Sequence, residues 1–118
     1  MTSSSNSTKS SNPQPSWRDE AAITVMKTTL RMKLLKTLEI GYNSVLLRKV
    51  RHLFTWWEID LMCSKQTCFA RAKLFIDILT SKMTTSTFMT FINALDDEKL
   101  HNELLQAYAK ENNCVAKT

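Results

Sequence analysis

Few side chains in this sequence are able to do chemistry, and their spacing restricts them further. Cys63, Cys68 and Cys114 are odd in number and follow neither a C-x-x-C nor a zinc-finger spacing, with His52 and His101 the two imidazoles available to join them. A structural zinc site wants four nitrogen or sulfur ligands at short, regular spacings, so the cysteines read as structural thiols and no metal is expected. Cys63 or Cys68 beside His52 would supply a nucleophile and its base, but a free cysteine packed in a helical core is the commoner arrangement. The carboxylate pairs Glu58/Asp60 and Asp96/Asp97 would need a cleft before they could share acid and base duty, and capping and solvation suit them better. No phosphate-cradling glycine loop, H-E-x-x-H or G-x-S-x-G occurs. The expectation is a protein with no catalytic residue, no cofactor and no metal.

The elements that hold these groups must be helices, because the chain has one glycine and no proline after Pro15. In ITVMKTTLRMKLLKTLEI the residues Met26, Leu30, Leu34 and Leu38 recur at four-residue steps, with Lys27, Arg31, Lys33 and Lys36 between them. That spacing predicts one first helix with an apolar stripe and a basic outer face, and Gly41 stands where the backbone would relax beyond its end. YNSVLLRKVRHLF sets Leu46, Val50 and Phe54 on one face, with Leu47 and Leu53 as further core candidates and Asn43 or Ser44 as cap.

HLFTWWEIDLMCS places Thr55 three residues before Glu58, the spacing of a capping box, with Phe54 and Ile59 positioned as its hydrophobic staple. A short third helix follows, one tryptophan of Trp56-Trp57 covering the core and the other at its rim. Thr67 can cap a fourth helix on which Phe69, Ala72, Ile76 and Leu79 repeat. A fifth, capped within Thr84 to Ser86, turns Phe88, Phe91, Ile92 and Leu95 inward, and a sixth opens on acidic residues and aligns Leu100, Leu104 and Tyr108. The fold class expected is all-α, with Leu30, Leu34, Leu38, Leu46, Val50, Ile76, Leu79, Phe88, Ile92 and Leu104 as core.

At 118 residues there is room for one domain. Residues 1–17 have almost no apolar anchor and are rich in Ser, Asn and Pro, so they read as a flexible tail or linker before a domain at 18–110, with a second flexible tail at 111–118. No secretory signal and no 18-residue apolar run is present, and a cytoplasmic protein that does not span a membrane is expected. The net charge of +5 is unevenly spread: nine Lys/Arg face five Asp/Glu through residue 60, and seven face six beyond it. RMKLLK and LLRKVRH concentrate the bases and Asp96-Asp97-Glu98 the acids, an asymmetry able to steer an anion or an oppositely charged protein. DNA or RNA binding is the alternative that basic amphipathic helices suggest. It is the weaker one, since the excess is small and the helices look committed to packing.

Order, size and residue pattern resemble a caspase recruitment domain, one branch of the six-helix death fold. The resemblance runs over residues 24–110, through LLKTLEIGYNSVLLRKVRHLFTWWEIDLM, CFARAKLFIDILTSK and TFMTFINALDDEKLHNELLQAY. It implies a six-helix antiparallel bundle and a noncatalytic role, homotypic recruitment of proteins in apoptotic or innate-immune signalling. The partners would be other such domains, self or heterotypic, and assembly could extend to a filament. In the family a basic surface on the first and fourth helices meets an acidic one on the second and third. That comparison makes Arg31, Lys33, Lys36, Arg71 and Lys73 the positive side and Glu58 and Asp60 the negative. Arg48, Lys49 and Arg51 depart from the pattern by making the second helix basic, which leaves Asp96, Asp97 and Glu98 as replacement acids.

Overall fold

The computed structural model describes residues 17–117, and the surroundings of side chains as far as Asn113. Polar caps set most of the helix starts. Asp19 accepts a hydrogen bond from the Ala22 amide at 3.2 Å and opens α1 (Glu20–Thr24), which a π turn over Val25–Thr29 joins to α2 (Arg31–Thr37). Ser44 caps α3 (Val45–Val50), which tightens into a 3-10 turn at Arg51–Leu53. Thr55 opens α4 (Trp56–Cys63), Thr67 α5 (Cys68–Ser81) and Thr84 α6 (Thr85–Ala94). Asp97 accepts from the Leu100 amide at 3.1 Å and starts α7 (Glu98–Lys117).

The chain is thus all-α, with seven α-helices and no strand among the described residues. The expected N-terminal tail lies outside those residues, except for Trp17, which is half exposed. At the other end the backbone of residues 111–117, expected as a flexible tail, is helical.

The expected single first helix is divided, and its own spacing explains why. Steps of four residues in an α-helix drift by about 40° each, so a stripe from Met26 to Leu38 would wind away from the core. In the π turn the Leu30 amide bonds the Val25 carbonyl at 2.9 Å, five residues back, and such a wider turn takes back part of the drift. Met26, Leu34 and Leu38 are then all buried, as are Ala22, Ile23 and Val25, which the four-residue stripe did not include. Leu30 falls at the join and is only partly buried against the core. Gly41 does not end α2 in a left-handed turn, since no glycine has positive φ. Leu38 ends it by going extended, at φ −70° and ψ 134°.

In the core, α5 packs against α2, α4 and the π turn, α7 against α1, α6 and the π turn, and α3 against α6. Val50, Ile76, Leu79, Phe88, Ile92 and Leu104 are buried as expected. Leu46 is only partly so, because the start of α3 at Val45 turns Leu47 inward in its place, on one face with Val50 and Phe54. Phe54, Phe75 and Phe91 form a tilted chain with centroids 5.2 and 5.8 Å apart, and Phe88 meets Tyr108 at 4.8 Å. Phe69 is half exposed, since the buried stripe of α5 begins one turn later at Ala72, and Leu95, at the C-cap of α6, is only partly buried.

Candidate functional site

The exterior is where the predicted site residues gather, and intramolecular bonds divide them into two sets. Arg31 lies 4.0 Å from Asp77, Lys33 Nζ 2.5 Å from Glu103 and Lys49 Nζ 2.9 Å from Asp96. Arg71 donates to the carbonyls of Lys65, at 2.7 Å, and Ile40, at 3.5 Å. These four cations fasten elements of the fold to one another: α2 to α5, α2 to α7, α3 to the α6–α7 corner, and α5 to the loops at either side. Because Arg31 meets Asp77 while Ile40 meets Arg71, α2 and α5 run antiparallel. Lys36, Arg48, Arg51 and Lys73 are exposed and make no ion pair among the described residues.

The acids divide in the same way. The Thr55 amide donates to Glu58 Oε1 at 2.9 Å and Thr55 Oγ1 accepts from the Glu58 amide at 3.2 Å, so the capping box is closed. Lys82 Nζ adds an ion pair to the same Glu58 oxygen at 2.7 Å and also bonds the Leu53 carbonyl. Burial pushes the Glu58 carboxyl up, but the hydrogen bonds from Lys82 and Thr55 outweigh it and hold the group below its ordinary value. Asp60 accepts the Tyr42 hydroxyl, and Asp96 is taken by Lys49. Asp97, Glu98 and Glu39 are exposed and make no ion pair among the described residues. Of the negative side assigned to Glu58 and Asp60, Glu58 is therefore paired from within, whereas Asp60 is exposed, makes no ion pair among the described residues and keeps its charge beside the Tyr42 hydroxyl; Asp97 and Glu98 add acid at the α6–α7 corner.

Both tryptophans stand in solvent, Trp56 77% exposed and Trp57 58%, where one was expected to cover the core. Phe54, Ile59 and Met62 are the buried residues of that stretch instead. Thr55 signals where α4 begins, but nothing local to the sequence indicates which way its first turn faces.

Near the α2–α3 loop lies an open recess of about 240 Å³, with Leu38, Val45, Leu46 and Leu95 among its apolar lining and Glu39, Asp96 and Asp97 at its polar edge. Asp19 is a further residue the sequence did not single out. It accepts from Thr85 at 2.6 Å and from Tyr108 at 2.5 Å, joining α1, α6 and α7. Burial raises its carboxyl, and these bonds with the Ala22 amide outweigh that and leave it lowered.

The thiols and imidazoles are dispersed. Cys63 is half-buried, and burial pushes its thiol up; Cys68 is exposed; the Cys114 side chain lies outside those described. His101 Nδ1 donates to the Ile92 carbonyl at 3.0 Å, while His52 sits exposed on the 3-10 turn. Among the described residues no three His, Cys, Asp or Glu are placed to hold a metal, and no helix is long and apolar enough to cross a membrane. No family model, curated protein or solved structure matches the chain.

Proposed function

We propose that this chain is a noncatalytic protein-interaction module of the caspase recruitment kind, which gathers signalling proteins through contacts between unlike faces of its exterior. One observation carries the reading: after internal pairing, the predicted cations left over are Lys36, Arg48, Arg51 and Lys73 on α2, α3 and α5, whereas the predicted acids left over are Asp60 on α4 and Asp97 and Glu98 at the α6–α7 corner, with Glu39 beside the α2–α3 loop. Charges so divided direct encounter and register between copies or relatives, and a contact between unlike faces repeats without closing. The death-fold resemblance of the apolar runs supports it, and those runs are helical here, with the first divided so that the described residues hold seven α-helices. The reading puts its action in the cytoplasm.

Light scattering across protein and salt concentration, with electron microscopy for open-ended filaments, tests it. Mass should rise with protein concentration and fall with salt. Lys36→Glu with Lys73→Glu should weaken assembly while changing folding stability by less than about 0.5 kcal/mol, as exposed substitutions do. A persistent monomer that binds oligonucleotides in a salt-sensitive way would replace this reading with nucleic-acid binding through the basic helices.

A further inference from the structure

The indoles of Trp56 and Trp57 are presented on a fixed base. Their helix turn is held by the Thr55–Glu58 capping box and by Lys82, which bonds both Glu58 and the Leu53 carbonyl. Of the acids closest in sequence, Glu58 is paired with Lys82, and Asp60 accepts the neutral Tyr42 hydroxyl and keeps a single negative charge. Arg48 and Arg51, one turn apart on the segment leading into Thr55, are exposed and make no ion pair among the described residues. The outcome is a protruding apolar knob with positive charge beside it, in the Trp and Arg composition that dominates binding hot spots.

The recess by the α2–α3 loop has the complementary character. Leu38, Val45, Leu46 and Leu95 offer it apolar walls, and Val45 is 43% exposed. Lys49 occupies Asp96, which leaves Glu39 and Asp97 as negative charge at the edge. A cavity of about 150 Å³ already admits a benzene ring, so a recess of about 240 Å³ has space for an indole. It lies at the beginning of α3, while the tryptophans follow the 3-10 turn at the other end of that helix.

Resting on the interaction-module reading, we infer that the Trp56–Trp57 knob of one copy docks on the α2–α3 recess of a second copy, one indole entering it, with Arg48 and Arg51 facing Glu39 and Asp97. The two halves of the contact are different surfaces at opposite ends of α3. Each copy therefore keeps one half open after binding, and assembly propagates.

The test uses two variants of the full chain: Trp56→Ala with Trp57→Ala, which removes the knob, and Val45→Arg, which fills the recess. All the altered side chains are solvent-exposed, and circular dichroism melts check that both variants fold. Each variant alone should self-associate roughly thirtyfold more weakly than the parent, the loss expected of a hot spot. Mixed one to one they should form a capped dimer, since one retains the recess and the other the knob. Tryptophan emission of the Val45→Arg chain should shift to the blue on mixing. A Trp56→Ala/Trp57→Ala variant that assembles like the parent, or a mixture that stays monomeric, overturns the contact. Assembly that is lost with Lys36→Glu/Lys73→Glu but indifferent to the tryptophans would leave the module reading standing and remove this contact alone. A parent chain that is monomeric at every concentration overturns a second copy as the occupant.

Discussion

Asp19 and Glu58 show how much of this protein rests on single carboxylates. Each receives a backbone amide together with distant side-chain donors, Thr85 and Tyr108 for Asp19 and Lys82 for Glu58, and each is held below its ordinary value of 3.8 or 4.5. A carboxyl that binds its proton less readily when folded than when unfolded contributes stability that is full above the ordinary value and is lost as pH falls through the folded one. Urea melts at pH 6, 4 and 3 should therefore show declining stability, with a shallower decline in Asp19→Asn. That substitution should also lower stability at pH 6 by weakening the charge-assisted hydrogen bonds from Thr85 and Tyr108, since asparagine caps a helix as well as aspartate does. The thiols give a second residue-scale expectation: exposed Cys68 should be alkylated before Cys63, whose thiol is half-buried and pushed up, as peptide mass mapping after brief labelling would read.

At the scale of elements, burial ranks the consequences of truncation. Leu34, Ile76 and Leu104 are fully enclosed, and changing any of them to Ala should cost about 2–5 kcal/mol from lost contacts and a residual cavity. Leu30 and Leu46 are only partly covered, so their alanine variants should lose less than Leu34→Ala in the same denaturant melts. Gly41 provides the opposite case. Its φ is not positive, and an added Cβ would lie 3.8 Å from the Arg71 guanidinium, an ordinary contact. Gly41→Ala should then be tolerated, or stabilise by about 0.4–1 kcal/mol by restricting the unfolded chain. A loss above 1 kcal/mol would mean that the α2–α3 loop depends on glycine in a way its backbone does not show.

For the whole molecule, the pairing of charges matters more than their sum. Lys33–Glu103, Lys49–Asp96 and Lys82–Glu58 each connect separate elements, and an exposed pair of this sort contributes about 0–1 kcal/mol. Their larger consequence is to remove those charges from the exterior. Reversing Lys36 and Lys73 should accordingly change association and its salt dependence more than reversing Lys33 or Lys49, whose loss should register first in thermal melts. Light scattering and melts on the same samples separate the two effects.

Local chemistry made a large part of this readable from residue order alone. Thr55, Thr67 and a cap within Thr84 to Ser86 were legible because capping involves residues three apart, and most core positions because a helix repeats its inward face over the same short range. What depended on distant neighbours was not legible. The π turn answers a drift that matters only when Met26 and Leu38 must meet one core. Glu58 lost its role as a surface acid because Lys82, 24 residues away, reached it, and the tryptophans were left in solvent because Ile59 and Met62 of their own helix, with Phe54, face a core that Phe75 and Phe91 complete from other helices. Sequence determined the helices and their caps, since hydrogen bonding and periodicity act between near residues. Tertiary structure alone decided which charges and rings face outward, because exposure is settled by whatever packs against a residue from elsewhere in the chain.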